Sequence, residues 1–320
     1  MAYSDAAAVL RSDINTLVEE AARTDEMFIG LKVMPEWGVP EKSSHWPKFR
    51  LSKGELLKND VTKRTPTGSY GRVTRAYEND NYTCEDYGLE ELVDDTYKAD
   101  VSRFFQAEVV AAKQVLRTVM IGHEVRVAAA LIDTNTFTAT NPAVDYTEAN
   151  IATINLVKDI VDAAGRLNDK GVIPNTIVMS KNVFNRTRRS TLLLNYLRGV
   201  LGNDAAKLAS AQDVAKVFAD EGIQNLYVGR MPKDGAKKGQ SYSASSIWPD
   251  THIWVGYVAG GDPMAGGAGR TVVWNKEGGL FVTESYRDEG RRSDVVRVRQ
   301  NVDEKIVDAT SGELITTNYA

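Results

Sequence analysis

The sequence predicts an α+β protein built from two lobes with an extended N-terminal segment. Three observations lead to this prediction: charge that is sorted by position near the start of the chain, one long helix with an apolar stripe, and alternating helices and strands that are followed by further strands. The 320 residues exceed the ~250–300 at which one hydrophobic core usually stops growing, so two lobes are expected.

The charged residues between positions 48 and 100 are sorted by sign. Residues 48–75 hold eight basic and two acidic side chains, a net charge of +6, whereas residues 76–100 hold one basic and nine acidic side chains, a net charge of −8. We interpret the basic half as an arm that contacts the acidic half of another copy of the chain. The candidate contact residues are Lys48, Arg50, Lys63, Arg64, Arg72 and Arg75 on the basic side and Glu85, Asp86, Glu90, Glu91, Asp94 and Asp95 on the acidic side.

The basic half has the pattern of a two-stranded ribbon. Residues 49–51 and 70–75 are strand-like, and the segment between them contains Gly54, Pro66 and Gly68. An isolated two-stranded ribbon is marginal in water, so something outside it must hold it. The charge sorting favours another subunit over the rest of the same chain as that support.

The segment before the ribbon predicts a short helix and then an extended arm. Residues 5–22 place Leu10, Ile14 and Leu17 at helical spacing with other apolar residues. Residues 28–46 contain prolines, which disfavour helix at their own and the preceding position, and therefore predict extended chain.

A long helix is predicted over residues 98–132, which contain no proline and carry an apolar stripe. If continuous, this helix is about 50 Å long at ~1.5 Å per residue. Glycine costs about 1 kcal/mol in a helix interior, so a bend is expected at Gly122. Glu108 falls within the apolar stripe, where a lone buried carboxylate is costly, and we therefore predict a partner for it.

The rest of the chain predicts a lobe of alternating helices and strands and then a terminal set of strands. Helices are expected at 147–168 and 213–220, and strands at 173–179, 226–229 and 252–258. This alternation is typical of an α/β lobe. Further strands are expected within 271–284 and 295–308.

Composition and charge exclude several classes of protein. The net charge is −4, whereas a general nucleic-acid binder usually has a basic excess, so DNA binding is not expected as the primary task. No run approaches the ~18 apolar residues of a membrane span, and the N-terminus lacks the layout of a signal peptide. The single cysteine, Cys84, excludes an internal disulfide and suits a reducing cytoplasm.

No pattern indicates catalysis, a cofactor or a metal site. The three histidines, His45, His123 and His252, are far apart in sequence, and Val127 replaces the second histidine of a His-Glu-x-x-His motif. The glycine-rich residues 260–269 lead into a strand, whereas a dinucleotide loop opens a helix, so a surface loop is favoured. We therefore predict that the protein is not an enzyme.

A second basic group has two interpretations. It consists of Arg291, Arg292, Arg297 and Arg299. These residues either contact phosphates on an inner, DNA-facing surface or form ion pairs with local acids such as Asp288, Glu289, Asp294, Asp303 and Glu304. We favour the ion pairs.

The order of these elements, together with several local phrases, resembles the tailed-bacteriophage major capsid proteins, which have the Hong Kong ninety-seven type of fold. The phrases are Trp46-Pro47-Lys48-Phe49 with Lys63-Arg64-Thr65-Pro66-Thr67-Gly68, then Tyr82-Thr83-Cys84-Glu85-Asp86-Tyr87-Gly88-Leu89-Glu90, then Leu226-Tyr227-Val228-Gly229-Arg230 with Ser246-Ile247-Trp248-Pro249-Asp250, and finally Val296-Arg297-Val298-Arg299-Gln300 with Asp303-Glu304-Lys305-Ile306-Val307. The resemblance covers most of the chain.

The resemblance implies a division of the chain. Residues 1–47 would form an N-terminal arm and 48–80 an extended β-hairpin called the E-loop. Residues 81–140 and 270–320 would form a peripheral domain whose spine helix is 98–132, and residues 141–269 would form an α/β axial domain.

The function implied is that of a major capsid protein, which assembles as pentamers and hexamers into an icosahedral shell around viral double-stranded DNA. The implied partners are other copies of the chain, a separate scaffold protein, a portal, a decoration protein and, by proximity, packaged DNA, with no membrane partner and no cofactor. The implied location is the virion capsid, after assembly in the cytoplasm of a bacterial host. Two alternatives are an encapsulin-like nanocompartment shell and an α/β enzyme that uses the 260–269 loop.

Overall fold

The computed structural model describes residues 8–48, 57–72, 78–101, 106–201, 210–237, 239–261 and 263–319. The helices of this part of the chain are α1 (Ser12–Thr24), α2 (Gly30–Val33), α3 (Asp95–Val101), α4 (Ala107–Leu131), α5 (Leu156–Asp169), α6 (Lys181–Thr187), α7 (Thr191–Leu201) and α8 (Ala211–Val217). Helices and strands are intermixed along the chain, and the predicted α+β class is confirmed.

Most of the strands belong to two sheets. The strands are β1 (Val9–Leu10), β2 (Glu36–Val39), β3 (Ser43–Lys48), β4 (Glu78–Thr83), β5 (Glu85–Asp94), β6 (Ala139–Thr140), β7 (Thr176–Ser180), β8 (Asn225–Gly229), β9 (Pro232–Asp234), β10 (Ala244–Ser246), β11 (His252–Gly256), β12 (Gly269–Trp274), β13 (Val282–Asp288), β14 (Ser293–Ile306) and β15 (Gly312–Thr316). A six-stranded sheet has the order β1-β13-β14-β12-β2, with β5 paired to the other side of β14. A five-stranded sheet has the order β6-β15-β11-β7-β8.

The strand β14 organises the six-stranded sheet. Its first half pairs with β13, its second half pairs with β12, and most of its length pairs with β5 on the opposite side. Helix α4 packs across β14 and β5. One continuous core joins α1, α4 and this sheet to buried residues of the five-stranded sheet, among them Trp254 and Leu314.

The other face of the five-stranded sheet packs against the helices of the predicted α/β lobe. Ile177 of β7, Ile253 of β11 and Ile315 of β15 are buried there together with Ile160 of α5 and Val214 of α8. Because β15 lies next to β11, the chain returns to this sheet after β14 ends. Residues 312–316, predicted to belong with the terminal strands, therefore lie in the sheet of the α/β lobe.

The N-terminal segment differs from its prediction in where the helix begins. Val9 and Leu10 are extended and pair with Ser285 and Glu284 of β13, so the helix starts at Ser12 rather than near position 5. Pairing with β13 supplies backbone hydrogen bonds that helical periodicity does not reveal. Leu17, which the apolar stripe included, is exposed.

The predicted extended arm at 28–46 is built into the subunit. It contains the short helix α2 and then β2, which runs parallel to β12, with Trp37 opposite Val272. The prolines therefore limit helix length in this segment without making it a free arm.

The predicted long helix is shorter than expected at its N-terminal end. Gln106 has an extended backbone, with ψ 108°, and separates α3 from α4, so residues 98–132 do not form one helix. The 25 residues of α4 span about 37 Å at ~1.5 Å per residue. The helix runs through Gly122 without interruption.

Glu108, in the first turn of α4, has the partner that the sequence predicted. Its carboxylate accepts hydrogen bonds from Arg11, at 2.9 Å, and from Lys98. Lys98 also contacts Asp294, at 2.9 Å. These ion pairs tie the start of α4 to the N-terminal segment and to β14, and they hold the pKa of Glu108 below its usual range against the opposing effect of burial.

A second carboxylate of α4, Glu124, is buried and joins three distant parts of the chain. It accepts hydrogen bonds from the backbone N–H of Ile29 at 3.1 Å, the backbone N–H of Gly30 at 2.7 Å and the indole N–H of Trp248 at 2.7 Å. Burial raises the pKa of Glu124 despite these donors. The close approach also explains Gly30, since a Cβ there would lie 2.7 Å from the carboxylate.

His123, the neighbour of Glu124, is also buried. Its Nε2 lies 3.2 Å from the hydroxyl of Thr271, and that hydroxyl donates to the carbonyl of Met34 at 2.9 Å. The Nε2–H group of the imidazole therefore donates to the Thr271 hydroxyl. Burial lowers the pKa of His123 to about 3.

Replacing the Glu124 carboxylate should destabilise the fold. In the Glu124→Gln variant one carboxylate oxygen becomes a side-chain NH2 group, which cannot accept a hydrogen bond. At least one of the three N–H donors then loses its acceptor, and an unsatisfied buried donor costs about 1–3 kcal/mol. We expect the free energy of unfolding in urea to fall by that amount. The matched control Glu20→Gln changes an exposed carboxylate of α1 and should leave stability unchanged. Equal stability of the Glu124→Gln variant and the original protein would contradict the assignment.

His123 should make stability depend on pH. Its pKa is about 3 in the folded protein and near 6.5 when unfolded, so the unfolded state binds the extra proton first as the pH falls. Stability should therefore decrease from about pH 6.5 to pH 4, with a slope of up to ~1.4 kcal/mol per pH unit from this group.

The measurement is the difference in slope between His123→Gln and the original protein, from urea unfolding across that pH range. The slopes of the two proteins must be compared because Glu124 and Glu304 also make stability depend on pH. Burial raises their pKa values, so their contribution to the slope has the opposite sign to that of His123. The matched control is His45→Gln, which removes an exposed histidine. Parallel slopes for His123→Gln and the original protein would show that His123 is protonated equally in both states.

Candidate inter-subunit surface

The base of the charged ribbon is a two-stranded antiparallel sheet of β3 and β4. Ser43 pairs with Thr83 at one end and Lys48 pairs with Glu78 at the other. The ammonium of Lys48 lies 3.1 Å from Asp80, and Lys305 lies 3.3 Å from the same carboxylate. Lys48, a candidate for contact with another subunit, is therefore paired within its own chain.

A cluster of aromatic residues anchors this ribbon base to the rest of the subunit. The rings of Trp46 and Tyr82 meet Trp37 edge to face, with centroids 6.1 and 5.6 Å apart. Cys84 is buried beside them, and burial raises the pKa of its thiol to about 11. Such pairs contribute ~0.5–1.5 kcal/mol each beyond the area they bury. The ribbon base is therefore held by its own chain.

The described part of the segment between β3 and β4, residues 57–72, is irregular and exposed. Positions 70–72 are not in a strand, contrary to the prediction, because they pair with no other described strand. The predicted strand at 49–51 and the remainder of the second one, 73–75, lie outside the described residues, as do Arg50 and Arg75. We call residues 57–72 the connecting segment.

The cations of the connecting segment are directed to solvent or to the segment itself. Arg64 donates to the carbonyl of Gly68 at 2.7 Å and lies over the ring of Tyr70. Lys63 and Arg72 are exposed and form no ion pair with any other described residue. The connecting segment thus presents positive charge that its own ribbon does not neutralise.

Half of the predicted acidic contact residues are already used within the subunit. Asp95 forms two hydrogen bonds of 2.6 Å with Arg287, and Asp94 accepts from the backbone N–H of Thr96 at 2.8 Å at the start of α3. Glu90 accepts from Arg297 at 2.6 Å. These carboxylates therefore form contacts within their own subunit.

The other predicted acidic residues remain accessible. Glu85 accepts from the hydroxyl of Tyr87 at 2.9 Å, and Asp86 lies 3.9 Å from Arg299 at the edge of the sheet. Glu91 has no ion-pair partner among the described residues. Since β5 is an edge strand among the described strands, these three side chains lie along an edge that no other described strand covers. We call Glu85, Asp86 and Glu91 the acidic edge.

The second basic group forms ion pairs across the six-stranded sheet. Arg297 lies between Glu90 and Glu284 on the two neighbouring strands, and Arg299 donates to Glu284 at 2.8 Å. That hydrogen bond is the main reason why the pKa of Glu284 lies below its usual range. The partners are cross-strand acids rather than the nearby acids predicted from sequence, because neighbours in a sheet are remote in sequence.

The ends of this basic group are at the surface. Arg291 lies 3.7 Å from Asp288, and Arg292, which is exposed, has a φ of 50° in the turn between β13 and β14. Arg291, Arg297 and Arg299 thus form ion pairs with acids of their own chain, as the ion-pair interpretation predicts.

The glycine-rich residues 260–269 form a cage of carbonyl groups around one arginine. The buried guanidinium of Arg270 donates to the carbonyls of Gly261 at 3.1 Å, Gly266 at 2.6 Å and Gly269 at 2.8 Å. A phosphate loop instead presents N–H groups to an anion. The loop is therefore organised around a cation of its own chain, and sequence reasoning missed this role of Arg270.

Two further features concern metals and membranes. The described residues contain no group of three or more His, Cys, Asp or Glu side chains arranged to hold a metal ion. Among the described helices, none has the length and apolar composition needed to cross a lipid bilayer.

Comparison with known proteins gives a consistent picture of the fold. No family model and no curated protein matches the sequence. A phage-related protein from Bordetella bronchiseptica RB50 superposes with a TM-score of 0.69 and 19% identity, over 98% of each chain.

Two further structures are similar at lower identity. The capsid of Cyanophage P-SCSP1u gives a TM-score of 0.59 and 10% identity, over 90% of this chain and 86% of that one. A virus-like particle from Pyrococcus furiosus gives 0.56 and 8%, over 95% and 97%. With an anchored ribbon, a long helix across a six-stranded sheet and an α/β lobe, the chain has the phage major capsid fold.

Proposed function

We propose that the protein is a major capsid protein that assembles as pentamers and hexamers into an icosahedral shell around double-stranded DNA. The observation that carries the proposal is a likeness over nearly the whole of both chains to a phage-related protein, together with likeness to a cyanophage capsid. The elements that such a shell needs are structural rather than catalytic, and the protein acts by self-association.

The charges of the subunit support self-association. Lys63, Arg64 and Arg72 are exposed on a segment whose base is held by a packed aromatic cluster, so the subunit presents cations on a fixed support. In the acidic edge, Glu85 and Asp86 are exposed, Glu91 is half-buried, and Glu91 has no ion-pair partner among the described residues. We infer that the connecting segment of one subunit lies along the acidic edge of another.

The parts of the subunit suggest how the chain divides in the shell. We propose an N-terminal arm at 1–47, an E-loop at 48–80, a peripheral domain at 81–140 and 270–320, and an axial domain at 141–269. The position of β15 supports moving residues 312–316 to the axial domain, because β15 pairs with β11. The proposed location is the virion capsid, after assembly in the cytoplasm of a bacterial host.

The proposed partners follow from the shell. They are other copies of the chain, a separate scaffold protein, a portal, a decoration protein and, by proximity, packaged DNA. The pairing of Arg297 and Arg299 with Glu90 and Glu284 supports a role in subunit stability rather than direct DNA binding.

A second candidate function is a shell that encloses protein cargo, as in an encapsulin-like nanocompartment. The likeness to a virus-like particle from Pyrococcus furiosus supports a closed shell, whatever its contents, at lower identity than the phage-related protein. An enzyme using the 260–269 loop has no such support, because the loop carbonyls surround Arg270.

Electron microscopy of the expressed protein tests the shell. We expect closed particles of uniform diameter, alone or after addition of a scaffold protein, because each subunit carries both charged surfaces. The nucleic-acid content of particles purified from infected or induced cells distinguishes the two candidates, with double-stranded DNA expected for a capsid and protein cargo for a nanocompartment. A small discrete oligomer under all these conditions would contradict both.

Reversing two cations of the connecting segment should weaken assembly. Each reversed pair loses about 0.5–1 kcal/mol at an exposed site, so Arg64→Glu with Arg72→Glu should raise the subunit concentration needed for assembly about ten-fold. Light scattering of assembling particles measures this concentration, and circular dichroism checks that the subunit remains folded.

Two matched variants make the test specific. Arg64→Lys with Arg72→Lys keeps the charge and should assemble normally. Glu85→Arg with Glu91→Arg, combined with the two reversed arginines, should restore assembly. Normal assembly of the Arg64→Glu, Arg72→Glu protein would refute the charge pairing, and failure of the acidic-edge variant to restore assembly would place the contact elsewhere.

A further inference from the structure

The connecting segment contacts the α/β lobe through one apolar side chain. Leu57 lies against Gly171, where α5 ends, and a Cβ at Gly171 would be 3.2 Å from the Cδ2 atom of Leu57. Gly171 belongs to a surface hollow between the end of α5 and the turn after α8. We call this the Gly171 hollow, and its lining residues are Asn168, Gly171, Ile173, Ala219, Asp220, Glu221 and Gly222.

Two glycines in left-handed conformations shape the Gly171 hollow. Gly171 has a φ of 79° and Gly222 a φ of 86°, a region that side chains with a Cβ rarely adopt. A Cβ at Gly222 would lie 2.7 Å from a methyl group of Ile173. The absence of side chains at both positions leaves room for an apolar group from outside.

The apolar contact between the connecting segment and the hollow is incomplete within one subunit. Leu57 keeps 58% of its surface exposed, and Ile173, at the lip of the hollow, keeps 66% exposed. Burial of apolar surface is favourable, and most of the free energy of burying these two side chains remains to be gained. A second surface that covered them would gain it.

The charges around the hollow are complementary to the connecting segment. Asp220 and Glu221 line the hollow and form no ion pair with any other described residue, whereas Lys58 follows Leu57 directly. Residues 57–72 hold four cations and one acid, a net charge of +3. Unlike Asp95 and Glu90, the two carboxylates of the hollow are not neutralised by any arginine in the part of the chain that the structure describes.

We propose that the Gly171 hollow is the docking site for the Leu57 end of the connecting segment, occupied by the subunit's own segment before assembly and by that of a neighbouring copy in the shell. Every copy carries the same Leu57–Lys58 pair, so the contact can pass between copies without a new interface. The exchange rests on the proposed shell function. The connecting segment would then have two anchors, with Leu57 in the hollow and Lys63 and Arg72 on an acidic edge.

A photocrosslinker at position 57 tests the site directly. Leu57 is replaced by benzoylphenylalanine in the full-length chain, and crosslinked peptides are identified by mass spectrometry. In free subunits we expect crosslinks within one chain, to peptides that contain residues 168–173 or 219–222. In shells we expect the same peptides in crosslinked dimers on a denaturing gel.

The possible outcomes separate this proposal from the shell function. Crosslinks to β5 or to any surface other than the hollow would overturn the docking site, and crosslinks that stay within one chain in shells would overturn the exchange. If no shell forms, the shell function fails, and the exchange between copies with it. The crosslink in free subunits then still decides whether the hollow binds the segment.

Matched substitutions provide the second measurement. Leu57→Asp should raise the subunit concentration needed for assembly at least ten-fold, whereas Val61→Asp, at a position of the same segment that is 89% exposed, should change it less than two-fold. Asp220→Lys with Glu221→Lys should also impair assembly, and adding Lys58→Glu should restore part of it. Equal effects of Leu57→Asp and Val61→Asp would overturn the proposal.

Discussion

The buried carboxylate of Glu124 is the constraint on which the arrangement of the subunit depends. A charged or polar group in a core must have its hydrogen bonds satisfied. Here the donors come from Ile29 and Gly30 in the N-terminal segment and from Trp248 before β11. One side chain of α4 therefore positions the N-terminal segment and a loop of the α/β lobe against the six-stranded sheet. The adjacent His123 adds a contact to β12 through Thr271.

Charge that is sorted along the sequence is distributed differently in space. Several of the acids between positions 76 and 100 are neutralised by arginines from β13 and β14, almost two hundred residues later. The cations of the connecting segment have no such partners among the described residues. The connecting segment thus carries positive charge, and the edge of β5 and the Gly171 hollow carry negative charge, that form few or no ion pairs with the described residues. In the proposed shell, contact between copies would use these charges.

Features that depend on local periodicity were predicted well. The apolar stripe located α4 and its end near Leu131, and the cost of burying a lone charge predicted a partner for Glu108. The errors arose where tertiary contacts override local preference. Val9 and Leu10 continue a helical pattern but pair with β13, and residues 36–39 of the predicted arm pair with β12. Neither contact leaves a signal in nearby residues.

The sequence by itself determined the α+β class, the order of the elements and the sorting of charge, because hydrophobic periodicity and side-chain type act over a few residues. Only the tertiary structure decided which sheet each short strand joins and which acids are neutralised. Strands of two to five residues, such as β1, β2 and β15, have little stability alone, and their sheet is set by hydrogen bonds to strands far away in sequence. The hydrogen bonds of Arg270 are also set by the tertiary structure, because the loop carbonyls that accept them come together only in the folded chain.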